Sequence, residues 1–204
     1  TAAGTADIMS HTFESYFSLD DGAYLQDRFA EAVLKTCIHY GPIALKEPDN
    51  YDARANLMWA GTWAINGLLG GGKMTMWSAH PMEHELSAFY DITHGVGLAI
   101  LTPHWMRHVL NDNTVHKLAE YGVNVWGLPA DADVYKTANA AIDKTSEFFA
   151  SLGIPMTLRE VGIGEEHLKE MAEAAVMHRS RSGKIHGFQT LTAADVLAIY
   201  KAAL

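Results

Sequence analysis

Thr5-Ala6-Asp7-Ile8-Met9-Ser10-His11-Thr12-Phe13-Glu14-Ser15-Tyr16 reads as a helix, and the rest of the chain continues in the same period. Asp7 and His11 stand four residues apart, which puts both on one helical face about one turn from each other. Beyond this stretch the pattern stays helical nearly everywhere, with breakers between segments and none of the alternation that strands require. A turn at Asp20-Asp21-Gly22 leads into a helix over residues 23–45, with Leu25, Phe29, Val33 and Ile38 on its buried side and an end before Pro48. Residues 52–69 are small, apolar and Trp-rich, and read as the central buried helix, ended by Gly70-Gly71-Gly72. A shorter helix over 78–89 carries His80 and His84. Thr93 is an N-cap for a helix reaching residue 109, with His94 in its first turn. Further helices are expected over 114–126, 133–152, 164–177 and 192–203, the last opened by the cap signature Thr192-Ala193-Ala194-Asp195. Pro129 and Gly153-Ile154-Pro155 mark the main loops. The result is an all-α domain of about nine helices spanning residues 1–204.

Composition bounds what such a domain does. The chain has 204 residues, 49% hydrophobic and only 19% charged, enough to bury a large core. A formal charge of −9 and no Lys/Arg cluster on any expected helix argue against a nucleic-acid partner. The basic run Arg179-Ser180-Arg181-Ser182-Gly183-Lys184 is short and reads as a loop. Cys37 is the only cysteine, so no intrachain disulfide forms and a reducing cytoplasm fits. No run of about 18 uncharged apolar residues could span a bilayer. The first residue is Thr, and the chain opens directly into the helix bearing Asp7, as a piece of something longer would.

Asp7 and His11, with His80 and His94 far downstream, offer one carboxylate and three imidazoles. That set suits zinc, iron(II), manganese or cobalt, and leaves a position for water or a substrate oxygen. Taken singly, each residue has a plainer reading. The Asp7/His11 pair would be a surface hydrogen bond, and His80 and His94 satisfied, partly buried rings.

The surrounding residues weigh against the plainer readings. Ala6-Asp7-Ile8-Met9-Ser10-His11 with Glu14 beyond it, Ala79-His80-Pro81-Met82-Glu83-His84-Glu85-Leu86-Ser87-Ala88 and Thr93-His94-Gly95 resemble the iron-containing (group III) alcohol dehydrogenases, in their butanol-dehydrogenase-like branch. Weaker echoes at 120–127, 148–155 and 191–204 extend the likeness end to end. It covers only the carboxy-terminal, helical half of such an enzyme, the half with a dehydroquinate-synthase-like fold. The resemblance implies a partner Rossmann-like domain that holds NAD(P), and this chain has no strand and Gly-rich turn to build one. It implies that Asp7, His11, His80 and His94 bind Fe2+ or Zn2+, and that His84 lies near nicotinamide and substrate as a proton relay or cofactor contact. The implied reaction is hydride transfer between a primary alcohol and an aldehyde, with the chain alone inactive for want of its cofactor domain.

Other readings compete. His80-Pro81-Met82-Glu83-His84 spells H-x-x-E-H, the inverted zinc-protease motif, which would need Glu165 or Glu166 as third ligand. Alternatively the chain is a helical metal-binding module with no enzymatic role, with an apolar face available for self-association as a homo-oligomer. Gly67-Leu68-Leu69-Gly70-Gly71-Gly72-Lys73-Met74 imitates a phosphate loop, but it follows a helix and has Met74 where Ser or Thr is needed, so it reads as a helix end and turn. His39, His104, His108, His116, His167, His178 and His186 share no ligand spacing. Trp59, Trp63, Trp77, Trp105 and Trp126 read as core aromatics, some available to wall a substrate pocket. Iron against zinc, NAD against NADP, substrate length and oligomeric state are not encoded in these residues.

Overall fold

A computed structural model describes residues 1–19, 22–75, 77–179 and 182–204. Among them are nine α-helices: α1 (Ala2–Tyr16), α2 (Tyr24–Lys46), α3 (Tyr51–Ile65), α4 (Ala79–Tyr90), α5 (His94–Val109), α6 (Val115–Asn124), α7 (Val134–Ser151), α8 (Leu168–Arg179) and α9 (Ala193–Ala202). Short 3-10 turns lie at Leu68–Gly70 and Arg159–Val161. The extended pairing among the described residues is one antiparallel bridge, Ile185 with Leu191. Among the described residues no helix is long and apolar enough to cross a membrane. Asp20 and Asp21 of the expected turn, and Ser180 and Arg181 of the expected basic loop, lie outside the described residues; Arg179 of that loop ends α8.

The centre of the molecule is α5, which touches α1, α4, α7 and α9. Its residues Leu98, Ala99, Ile100 and Leu101 are all fully buried, a continuous run that a helix can bury only when neighbours cover it on every side. α1 lies across α5 and also packs on α2 and α3; α4 joins α5 to α8; α6 and α7 form a hairpin held to α5 through α7. Tyr200 of α9 is fully buried and its hydroxyl donates to the Met82 carbonyl of α4 at 2.6 Å, tying the end of the chain to the helix that bears two of the histidines.

Two expectations are corrected here. Residues 52–69 are neither one helix nor the central one. α3 stops at Ile65, Gly67 turns left-handed at φ 86°, and the helix lies on the outside with Met58, Trp59 and Ile65 exposed. It buries only the stripe Ala53, Leu57, Ala60 and Ala64. Its apolar residues run all round, and the surface offers them neighbours on one side alone. On α2, Leu25 and Phe29 are likewise exposed, while Val33 is buried and Ile38 partly so. The stripe that meets α1 and α3 is instead Ala30, Val33, Leu34, Cys37 and Ala44. The same correction moves Trp59 out of the core, where only Trp105 is fully enclosed among the tryptophans.

Candidate metal centre

Three helices deliver the histidines. α1 carries Asp7, His11 and Glu14 at i, i+4 and i+7, hence along one face. α4 begins beside that face, with His80 and Pro81 in its first turn, where the missing proline N–H costs no helical bond. The Ser78 side chain makes no cap. Glu14 of α1 does the work from outside: its carboxylate accepts from the backbone N–H of Ser78 at 2.8 Å, Ala79 at 2.8 Å and His80 at 3.1 Å. A carboxylate placed at a helix N-terminus also meets the positive end of its dipole. α4 ends at Tyr90 with its C-cap Asp91 held left-handed at φ 52°, and three residues after Asp91 His94 opens α5. Thr93 precedes it at the cap position but makes no side-chain cap bond.

These helix ends converge. Single ligand atoms of Asp7, His80 and His94 lie within 4.8 Å of one another. The Asp7 carboxylate oxygen Oδ1 is 3.5 Å from His11 Nε2 and 3.7 Å from His94 Nε2. Donors on a tetrahedral ion with bonds of ~2.1 Å stand about 3.4 Å apart, so both spacings fit atoms that share a cation better than atoms bonded to each other. The His11 ring is 4.4 Å from that of His80, and the His80 ring 5.4 Å from that of His94. His11 therefore borders the trio that meets most tightly. His84 stacks on His94, centroids 5.5 Å apart.

Two buried carboxylates orient the rings. Glu14 lies 3.1 Å from His80 Nδ1; since it already accepts from three N–H groups, Nδ1 is the donor and Nε2 keeps its lone pair. Glu83, fully buried, holds His94 Nδ1 in the same way and accepts from the Ser87 hydroxyl at 2.7 Å. His80 Nε2, Asp7 Oδ1 and His11 Nδ1 are buried and have no hydrogen-bond partner. A buried acceptor without a donor costs roughly 1–3 kcal/mol, a cost a cation between Asp7 and His80 would remove. Burial, then the neighbouring His80, lowers the pKa of His11; burial, then His94, lowers that of His84. The hydrogen bond to Glu83 raises that of His94. Neutral imidazoles are what a metal requires.

Glu14 and Glu83 are the functional residues that spacing alone did not identify. Glu14 could have been found as the third polar residue on the α1 face. In an H-x-x-E-H protease the Glu activates water, and Glu83 does not fit that role, because its carboxylate is turned to His94 and Ser87 and is closed to solvent. Glu165, 68% exposed, pairs with Arg159 at 3.5 Å and reaches no histidine of the cluster. The glycine turn after α3 is a helix end, anchored by Lys73 on Asp27 at 2.6 Å. It leads to Trp77, whose ring lies 4.5 Å from His80 and 5.1 Å from His11. Of the remaining histidines, His108 bonds Asp195 at 3.2 Å and His178 bonds Glu85 at 2.9 Å. A cavity of about 500 Å3 over the Asp27, Arg28, Lys117 and Glu120 ion pairs shares no residue with the cluster.

A sequence model of the "Fe-containing alcohol dehydrogenase family, C-terminal" matches residues 1–204. NADH-dependent butanol dehydrogenase A of Clostridium acetobutylicum is 62% identical over 201 residues, covering 98% of this chain and 51% of that protein. The NADPH-dependent aldehyde reductase YqhD of Escherichia coli is 43% identical over 162 residues, 79% of this chain and 41% of that one. Its substrate- and cofactor-free structure superposes with a TM-score of 0.91 at 37% identity, over 100% of this chain and 52% of that chain. The structure of NADH-dependent butanol dehydrogenase A of Thermotoga maritima gives a TM-score of 0.91 at 29% identity, over 100% and 52%. The chain spans about half the length of the curated relatives it matches.

Proposed function

The chain belongs to the Fe-containing alcohol dehydrogenase family, as its C-terminal part, and on that premise we propose that residues 1–204 form the metal-binding half of a longer two-domain enzyme that interconverts primary alcohols and aldehydes with NAD(P). The observation that carries this reading is the convergence of Asp7, His80 and His94, with Asp7 Oδ1 and His80 Nε2 buried and unpartnered. In this reading Asp7, His11, His80 and His94 hold iron(II) or zinc, since one carboxylate and three imidazoles accept either. A divalent cation bound there would supply Lewis acidity, lowering the pKa of an alcohol oxygen and polarising an aldehyde carbonyl.

The chain's own side chains do the remaining work. Glu14 and Glu83 fix His80 and His94 with Nε2 turned into the cluster. His84, exposed and stacked on His94, takes the proton that an alcohol hydroxyl gives up, and in reverse gives a proton to the carbonyl oxygen of the aldehyde as hydride from the nicotinamide adds to its carbon. It is also this chain's contact to the nicotinamide, which the nucleotide-binding half of the longer protein holds. Relatives named for NADH and for NADPH leave both cofactors open. A cytoplasmic setting suits the reduced thiol of Cys37.

Metal content after anaerobic reconstitution tests the reading. His94→Ala should lose the metal and His84→Ala retain it, and joining the parent chain to a nucleotide-binding half should then yield aldehyde reduction. Retention in His94→Ala with loss in His84→Ala, or no metal in the parent, would overturn it.

A further inference from the structure

The cavity of about 500 Å3 that lies apart from the metal cluster is lined by Tyr24, Asp27 and Arg28 of α2 and by His116, Lys117 and Glu120 of α6. Spacings of three and four residues put each set on one helical face, so the cavity sits between the N-terminal turns of two helices. Neither helix start is capped by a side chain. Ala23 has none to offer, and the Thr114 hydroxyl is turned back to the Val109 carbonyl at 2.6 Å. Uncapped N–H groups and the positive ends of two helix dipoles favour an anion.

The charged groups of this cavity leave donors over. Asp27 accepts from Lys73 at 2.6 Å through one oxygen and from Lys117 through the other, and Glu120 accepts from Arg28 and, at 3.0 Å, from Lys117. Both carboxylates are therefore met on both oxygens. The Tyr16 carbonyl at the end of α1 is met by the Ser18 N–H at 3.0 Å and by Lys73. Two donors have no such match: the hydroxyl of Ser18, a residue of the cavity wall that is 7% exposed, and Arg28 Nε are buried without a hydrogen-bond partner. Helix ends alone define no guest, but a buried hydroxyl at the same wall that no protein atom meets calls for an acceptor from outside.

We propose that this cavity binds the phosphate group of a small phosphorylated molecule. The phosphate oxygens accept from Ser18, from Arg28 and from the uncapped N–H groups that open α2 and α6, with His116 adding a donor at the exposed rim. A bare ion would leave most of the space unfilled, and the exposed side chains of Leu19 and Tyr24 offer an apolar surface to the carbon part of an ester. Ser18 lies two residues past α1, the helix that carries Asp7 and His11, so a bound phosphate fastens the end of that helix to α2 and α6. The binding needs neither metal nor nicotinamide and does not rest on the alcohol dehydrogenase reading.

NMR titration of the chain before any metal is added tests it, with inorganic phosphate and phenyl phosphate as probes at constant ionic strength and sodium chloride as the control. The backbone amide signals of Ser18 and His116 should move with both phosphates and not with chloride, and phenyl phosphate should bind at least as tightly as the inorganic ion. Ser18→Ala removes a hydroxyl that has no partner in the free chain, so it should melt no lower than the parent yet bind phenyl phosphate roughly tenfold more weakly, the worth of one hydrogen bond to a charged group. His116→Glu, at an exposed position, should weaken binding by about tenfold through like charge and serves as the second variant should Ser18→Ala fail to fold. Equal shifts with chloride, binding of inorganic phosphate with phenyl phosphate excluded, or an affinity unchanged by either substitution would overturn the proposal.

Discussion

Glu14 accepts from three backbone N–H groups and one imidazole, at only 4% exposure, so its removal strands four buried donors. At about 1 kcal/mol or more for each, Glu14→Ala should cost on the order of 4 kcal/mol, read as a lowered midpoint in urea. Glu14→Gln retains an acceptor oxygen and should cost less, while metal affinity still falls ~10–100-fold because His80 loses its charged partner. Unchanged metal affinity in a folded Glu14→Gln chain would show that the carboxylate only caps α4. Cys37 is a second residue whose setting decides its chemistry. Burial pushes its thiol up to about 12, so at pH 8 almost no thiolate is present and none is accessible. Ellman's reagent should label it only as fast as the chain opens, and labelling that outruns unfolding would contradict its burial.

Helix contacts set the geometry one level up. Gly95 of α5 sits against α1 so closely that a Cβ there would overlap the Ala3 carbonyl, and one at Gly97 would meet Glu83 Cγ at 2.7 Å. Backbone cannot yield as a side chain can, so Gly95→Ala should separate the two helices at a cost of about 1–3 kcal/mol. It would also move His94 relative to Asp7, and the expected outcome is a lower melting temperature with weakened metal binding in the same variant. At the other end of the chain, Thr192 and Asp195 form a capping box on α9. Burial opposes ionisation of Asp195, but the bonds from Thr192 and His108 outweigh it and hold the carboxyl below its usual value. A depressed folded pKa means stability that is present above the unfolded carboxylate value, near 4, and is lost as pH falls through the folded one. Thr192→Ala should therefore cost ~1 kcal/mol at pH 7 and show a shallower acid limb than the parent. The box was legible in Thr192-Ala193-Ala194-Asp195 because cap chemistry closes within three residues. The role of Glu14 as the cap of α4 was not legible, because the donors it meets lie 64 to 66 positions away.

Across the whole molecule, the apolar residues divide into those enclosed around α5 and those left on the outer faces of α2 and α3. Trp105 is 2% exposed and Trp59 64%. Acrylamide should accordingly quench a red-shifted emission component that disappears in Trp59→Phe, whereas Trp105→Phe should remove a component acrylamide does not reach. Sequence alone determined that the chain is helical and where most helices begin and end, since hydrophobic period and breakers are local properties of the backbone; the expectation that Asp7, His11, His80 and His94 meet at a metal drew on the resemblance of the residues around them. The sequence could not say which face of an apolar helix is covered, because Leu25, Phe29 and Trp59 are as apolar as Leu34 and Leu57 and only their neighbours differ. The tertiary structure decided that α5 and not α3 is central, that Glu83 orients His94 and does not serve water, and that Glu85 and His178, 93 positions apart, meet between α4 and α8. Each of these is a matter of which distant surfaces come together, and contact between elements far apart in the chain is fixed by packing.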